Sequence, residues 1–464
     1  MRSVAIIGLV SLVMAAITQE WLVAVELATL GIGLWLLAPL TRYPLLPVAV
    51  VAEWVAVTSG PLYLSFTGRR IPELRGFDPS LVVTVGCAAL VAQFIGLRIG
   101  FRLGSRPDSP KVSAELPPLP MVWLLGLYVA MSLLHGVSLR FGMQILAVAQ
   151  IVLAVDAFRL VVLFVLVSRL LQRPNGGLAV ALIAFIEVVV VPFGWMADFL
   201  PALVLLAAAV FSHLRLAGMT PRRWLAASAA VGALVVLMVM WTGIKPGLRH
   251  SSGVHGPTAE RSRLTELTEA GANWFVRGTW KHDSDALVSR VWALYYPGLA
   301  YRRMPASVAH TDGSIVLAAL QHIVTPRFLF PDKPTTLDAD SNEVRRYAGV
   351  WVAGSKQRTS MGFGRFGESF VDFGSVGVIV LELLFGILLA LSLGQISGRL
   401  VHPELRLAVN ATLSLTLCGM QASWVMTLGP TVMAFLVVGL GSLVIDRYVE
   451  NLAQKKWTPG LPAT

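Results

Sequence analysis

Charge is scarce in this chain, and so is cysteine. Only 14% of its 464 residues are Asp, Glu, Lys or Arg, against about 25% in an ordinary soluble domain. With 56% hydrophobic residues and a mean hydropathy of +0.71, that shortage excludes a soluble protein and makes this an integral membrane protein. The two cysteines, Cys87 and Cys418, both fall in apolar runs. No loop holds a pair, so a disulfide-stapled loop is excluded, and both are expected as small buried hydrophobes. An internal repeat and a low-complexity tract are also missing. The net charge of +11 does not imply nucleic-acid binding, because Lys and Arg collect on the cytoplasmic side of membrane proteins.

What the chain has in quantity is apolar runs long enough to cross ~30 Å of hydrocarbon. They predict an all-α polytopic membrane protein of about twelve spans, at roughly 4–17, 21–40, 45–62, 80–97, 121–136, 143–170, 178–197, 199–216, 224–243, 370–393, 407–426 and 429–446. The first run follows Arg2 but no small-residue cleavage site follows it, which reads as a retained helix. The organisation expected is an N-terminal bundle over 1–244, a long polar region over 245–367, C-terminal spans over 368–448 and a tail over 449–464. Short-loop charge orients the bundle. Arg98, Arg102, Arg106 and Lys111, then Arg169 and Arg173, then Arg215, Arg222 and Arg223, then Arg399 and Arg406, and finally Arg447, Lys455 and Lys456 all fall on one side. That side is cytoplasmic; Arg69, Arg70 and Arg75 dissent.

The long region therefore lies outside, where ATP and nucleotide sugars are absent, and chemistry there needs a substrate that is already activated. Within it, "DALVSRVWALYYPGLAYRR" (285–303) alternates aromatic and basic groups like an interfacial amphipathic helix. "GSIVLAALQHIV" (313–324) is too short to span and suits a re-entrant or interfacial segment. Such backbone is tolerated at membrane depth where it lines a cavity, so this region is expected to roof one.

Several motifs are weaker than they look. "GFGRFG" (362–367) matches a dinucleotide fingerprint but lacks the preceding strand and βαβ unit. Its glycines, ahead of a membrane helix and beside Arg365, suit either an anion site or a flexible hinge. "DFG" (372–374) has none of the other kinase elements. "DAD" (338–340) and the group His282, Asp283 and Asp285 are poor metal candidates, and no metal is expected. Within spans, Glu26, Glu53, Glu187 and Glu382 are costly to bury. They mark a proton path or, more simply, interhelical hydrogen bonds; Asp156 and Arg159 are spaced to pair on one helix face.

Three segments taken together, "PRFLFPDKP" (326–334), "NEVRRYAG" (342–349) and "GFGRFGESFVDFGSVGVIV" (362–380), resemble the bacterial Wzy-type polymerases that join O-antigen and exopolysaccharide repeat units. The resemblance covers roughly 285–395; elsewhere only hydropathy matches. It implies a glycosyltransferase related to the GT-C class, embedded in the inner membrane, which joins oligosaccharides carried on undecaprenyl pyrophosphate at the periplasmic face. It implies no cofactor, and a chain-length-regulating copolymerase is a partner it allows. Arginines of outer loops are the residues such enzymes generally depend on.

The roles follow as expectations. Arg327, Lys333, Arg345 and Arg365, with Arg290 and Arg346 next, would surround the pyrophosphate, because Arg offers planar paired donors to phosphate. Tyr347 would line the sugar site, and Asp332 would orient Arg327 or Lys333. Glu368, Asp372 or His322 would act as general base. Pro326, Pro331 and Pro334 would stiffen the first motif. An O-antigen ligase and a flippase of lipid-linked oligosaccharide are the alternative readings.

Overall fold

The structure is a computed structural model that describes residues 13, 20–38, 40, 43, 45–67, 79–104, 119–141, 146–174, 176–189, 199–214, 225, 229, 232, 235–244, 260–325, 330, 336–354 and 361–457. These residues are mostly helical, with no β-strand among them. The N-terminal helices are α1 (Trp21–Leu37), α2 (Leu46–Thr67), α3 (Ser80–Gly104), α4 (Met121–Phe141), α5 (Leu146–Leu170), α6 (Gly176–Val189), α7 (Phe199–Leu214) and α8 (Val235–Ile244). The long region supplies α9 (Glu260–Arg277), α10 (Trp280–Val291), α11 (Tyr295–Arg303), α12 (Ser314–Val324) and α13 (Thr336–Glu343). The C-terminal part is α14 (Gly364–Ser397), α15 (Pro403–Ser414) and α16 (Trp424–Trp457).

Among the described residues, four helices are long and apolar enough to cross a membrane: α2, α3, α14 and the Trp424–Tyr448 part of α16. Several shorter apolar helices accompany them. The expected first span, 4–17, lies outside the described residues except for Val13.

The tightest packing joins α3 and α14. Gly96, Gly100 and Gly104 stand one turn apart on α3, and Gly386, Ala390 and Gly394 do so on α14. A Cβ at Gly96 would overlap the Leu383 carbonyl oxygen, and one at Gly100 the Ile387 carbonyl oxygen. A Cβ at Gly386 would overlap the Gln93 carbonyl oxygen. Backbone thus touches backbone along three turns. Small-xxx-small rows drive helix pairing in lipid, where apolar burial alone gives little, because they let dispersion contacts reach the main chain. The residue order of these contacts makes α3 and α14 parallel. On the other side of α3, Gly33 of α1 would meet Phe94, and Arg98 donates to the Leu36 carbonyl (3.0 Å), so α1 is also parallel to α3.

This direction puts the long region at one end of the bundle. Leu294 and Phe366 pack at Gly86, near the start of α3, whereas Arg98, Arg102 and Arg399 lie toward the other end. The chain between α10 and α11 enters the bundle. Pro61 lacks the N–H that would bond the Val57 carbonyl; that oxygen accepts the Trp292 indole N–H instead (2.9 Å). Ala293 N–H donates to the Ala56 carbonyl (2.8 Å). Gly60 leaves room for the indole, and Trp292 is only 2% exposed.

Three expectations change. The stretch 285–303 is not one interfacial helix: it breaks at 292–294 and buries Trp292 and Leu294, because α2 offers a freed carbonyl and a glycine notch. The run 407–426 is not one span: α15 ends at Ser414, a 3-10 turn covers Leu415–Cys418, and a non-helical link reaches Trp424. Cys418, at the end of that turn, is exposed rather than buried.

Replacing Gly100 with Leu should force α3 and α14 apart and cost ~3 kcal/mol or more, at the upper end of overpacking penalties. Gly126→Ala, where a Cβ meets nothing within 4 Å, should leave stability unchanged or raise it by up to about 1 kcal/mol. Thermal unfolding of the detergent-purified variants distinguishes these outcomes.

Candidate functional site

The third motif segment folds as a short helix that the membrane helix does not continue. Within α14, Gly374 has φ 69° and ψ −166°, and it separates residues 364–373 from residues 375–397. Gly364, with φ 74°, opens the segment. Both are conformations that residues with a Cβ adopt only under strain. Every residue from Gly364 to Asp372 is buried. The segment is tied into the link before α16: Arg365 N–H donates to the Ala422 carbonyl (2.9 Å), and the Trp424 indole donates to Ser369 Oγ (2.9 Å). From the long region, Tyr301 stacks on Phe370 with ring centroids 3.5 Å apart.

Arg365 is fully buried, and its charge is already answered. Nε donates to Glu382 Oε1 (2.7 Å), and Nη2 donates to both oxygens of Glu53 (2.9 Å each). The Phe385 ring lies 4.8 Å from the guanidinium carbon. Glu382 sits beyond the Gly374 break, so this ion triad fastens the short segment to the second half of α14 and to α2. Arg365 Nη1 has no hydrogen-bond partner among the described residues, but a guanidinium enclosed with two carboxyls is poorly placed to answer a phosphate. Arg365 was expected at the pyrophosphate; its geometry makes it a tie.

Glu368 and Asp372, expected as bases, both cap neighbouring helices. Glu368 Oε2 accepts the Trp424 N–H at the start of α16 (2.7 Å). Asp372 accepts the Ile315 and Val316 N–H groups at the start of α12 (3.1 and 2.8 Å) and the Thr311 hydroxyl. A carboxylate on a helix N-terminus meets free donors and the positive end of the dipole. The three donors to Asp372 commit it to this role. Glu368 also feels the charge of Glu343, the last residue of α13, and each carboxyl acts on the other. Burial, reinforced by the charges of Asp340 and Asp372, pushes the Glu343 carboxyl up to about 7.

After Glu343 the chain makes a wide π turn, Val344–Ala348. It holds three of the expected residues. Arg345 donates from Nε and Nη2 to the Val352 carbonyl (3.0 and 2.6 Å) and from Nη1 to Asn342 Oδ1 (3.1 Å), with Trp351 alongside. Arg346 is exposed and lies over the Tyr347 ring (5.2 Å); Tyr347 itself is buried. These bonds to Arg345 use neutral acceptors, so its positive charge is not cancelled as that of Arg365 is. Arg303 closes the turn by donating to the Arg346 and Tyr347 carbonyls (3.1 and 3.3 Å). Gly349, at φ 74°, leaves the room its guanidinium occupies. Ser341, just ahead of the turn, accepts from the N–H of Met361, just ahead of the third motif (3.2 Å), and donates to the Ala353 carbonyl (2.8 Å).

The remaining expected residues are spread around this centre. Arg327, Asp332 and Lys333, with Pro326, Pro331 and Pro334, lie outside the described residues. His322 is half-buried in the last turn of α12. Arg290 is exposed at the end of α10, and its carbonyl accepts the Gln421 amide (2.9 Å). Asp283, a weak metal candidate, instead accepts from the Trp274 indole and the Thr279 hydroxyl, both at 2.7 Å. Asp285 accepts from the Tyr63 hydroxyl. Sequence reasoning gave no role to Glu343, and it counted Arg303 only among the basic groups of the long region; the one signal for Glu343 was its place beside Arg345 in the second motif.

Two outcomes check this geometry. Arg365→Met strands Glu53 and Glu382 together and should destabilise by ~3–5 kcal/mol, and adding Glu53→Gln and Glu382→Gln should recover most of that loss. Glu343 binds its proton more tightly when folded than the ordinary value of 4.5 allows. Its contribution is therefore complete below about pH 4.5 and is lost as pH rises to about 7. Glu343→Gln should flatten the fall of the melting midpoint across that window. No known protein family, curated protein or solved structure matches the chain.

Proposed function

We propose that the chain is a membrane glycosyltransferase of the Wzy type, which joins oligosaccharide repeat units carried on undecaprenyl pyrophosphate at the outer face of a bacterial inner membrane. The observation that supports this best is the meeting of two of the three motif segments. "NEVRRYAG" and "GFGRFGESFVDFG" come together where the charges of Glu343 and Glu368 act on each other, and the residues just ahead of each motif, Ser341 and Met361, are hydrogen-bonded (3.2 Å). Together they put uncancelled arginines and a pair of interacting carboxyls at one end of the bundle. That end is opposite the basic loops, hence outside under the positive-inside rule.

The chemistry needs both kinds of group. A hydroxyl of the incoming repeat attacks the anomeric carbon of the growing chain. The new C–O bond forms as the bond from that carbon to pyrophosphate breaks, and the electron pair leaves with the pyrophosphate oxygen. Arg345 and Arg346, with Arg327 and Lys333 of the first motif, stabilise that developing charge. The hydroxyl proton passes to Glu343, whose carboxyl burial holds near neutrality. Arg365 acts at one remove, by fixing the segment that carries Glu368.

The test is a gel of reconstituted protein incubated with its lipid-linked repeat and no nucleotide sugar. A ladder of lengthening products, reduced ~100- to 1000-fold by Arg327→Ala, is the expected result. No ladder with an authentic repeat sinks the reading. Transfer to lipid A core sugars would then identify a ligase, and movement of the lipid across vesicles a flippase.

A further inference from the structure

The turn between α9 and α10 displays large apolar side chains well away from this site. Phe275 is 62% exposed, Val276 86% and Trp280 38%. Arg277 and Lys281 stand among them and are exposed too. The sequence of α9 changes on the way to this turn. Five of its first ten residues, Glu260–Glu269, are charged, and none of Ala270–Val276 is. Exposed apolar side chains gathered in one place mark a surface that meets something other than water.

The turn is built to hold its shape. Trp274 is 3% exposed and packs with Val239 and Ile244 of α8 in a small core of its own. The Trp280 ring lies 4.4 Å from it. Gly278, at φ 63°, makes a reversal that a residue with a Cβ adopts only under strain. The nearby acids turn inward: Asp283 accepts from the Trp274 indole and the Thr279 hydroxyl, and Asp285 from the Tyr63 hydroxyl. Glu269 lies eight residues back along α9, ~12 Å from Arg277. The charge that the turn shows is therefore positive. Two contacts set its level. A Cβ at Gly243, next to the last residue of α8, would overlap the Asp283 carboxylate, and Tyr63 lies in the last two turns of α2. Both helices are apolar, so the turn sits where they end, at the level where hydrocarbon gives way to headgroups.

We propose that the α9–α10 turn is an anchor for anionic lipid. Phe275, Val276 and Trp280 lie among acyl chains, and Arg277 and Lys281 hold the phosphates of acidic headgroups. Aromatic rings favour this zone of the bilayer. Long basic side chains reach from it to the headgroups with their methylenes on apolar surface. A cation near an acidic bilayer surface is worth roughly a five-fold preference. The anchor ties α8, α9 and α10, which share a small core apart from the main one, to the lipid beside them. It does not rest on the glycosyltransferase reading.

Fluorescence quenching in the full chain, reconstituted into phosphatidylcholine vesicles, tests it. Cys418, which is exposed, is removed by Cys418→Ser, and Cys87, which is buried, is kept. A bimane probe is attached through Val276→Cys, or through Phe275→Cys if the first variant does not elute like the wild type. The vesicles carry an equal, small share of spin-labelled phosphatidylglycerol or of spin-labelled phosphatidylcholine. Both lipids should quench the probe, and aqueous iodide should barely reach it. The anionic lipid should be enriched at the probe roughly five-fold for each basic residue. Arg277→Gln with Lys281→Gln should remove that preference and leave the shielding from iodide intact. Free quenching by iodide would place the turn in water and overturn the anchor. Shielding without quenching by either lipid would show protein covering the turn and overturn it equally. Equal quenching by the two lipids before the basic residues are changed would overturn the choice of an anionic headgroup.

Discussion

The backbone contact between α3 and α14 is the constraint on which the rest of the structure depends. Lipid tails are as apolar as leucine side chains, so a bundle in a membrane gains little from burying one against the other. It gains where main chains come close enough for dense dispersion contact, and only glycine or alanine permits that. The rows at Gly96, Gly100 and Gly104 and at Gly386, Ala390 and Gly394 fix the second half of α14 both in rotation and in height. Once that half is fixed, the Gly374 break decides where residues 364–373 lie. The ion triad of Arg365, Glu53 and Glu382 then removes the freedom that the break introduced. A flexible joint and a rigid clamp thus occupy one helix, and the clamp spans the joint.

Buried charge does two different jobs here. At Arg365 both carboxylates lie against one guanidinium that is itself fully enclosed, which is a costly arrangement and reads as a device for position. Breaking it exposes an unpaired charge to an apolar interior, so the cost of building it becomes a cost of deforming it. At Arg345 the partners are a carbonyl and an amide oxygen, so direction is fixed while charge is retained. An arginine that must answer a phosphate needs the second arrangement. The difference between the two arginines is invisible in a motif, because it depends on residues far away in the chain.

Much of the architecture was legible from the residues alone. Apolar runs marked the membrane helices, the 313–324 stretch reads correctly as too short to span, and the Asp156–Arg159 spacing predicts the pair that forms. The glycine rows were readable too, since both show the small-xxx-small interval. The rest was not legible for physical reasons. The apolar run at 407–426 hides a break, because hydropathy records composition and is blind to the Glu368 carboxyl that starts a new helix at Trp424. The partner of Arg365 on α2 lies 312 residues away. A buried Trp292 in a stretch patterned for an interface depends on a carbonyl freed by Pro61, which only the packed bundle reveals.

In the proposed mechanism, the choice of proton acceptor shows how such long-range ties would decide chemistry. Asp372 and Glu368 look equivalent in sequence, four residues apart on one segment. Asp372 spends its oxygens on Thr311 and on two amides of α12 and is held as a cap. Glu368 meets one amide, and the charge of Glu343 acts on it. Glu343 is held up near neutrality by burial and by the charges of Asp340 and Asp372. The capped aspartate is thereby more than a structural residue: its charge helps keep a proton on Glu343. For a reaction releasing a proton beside a departing anion, that division between a fixed charge and a mobile proton is the more useful arrangement.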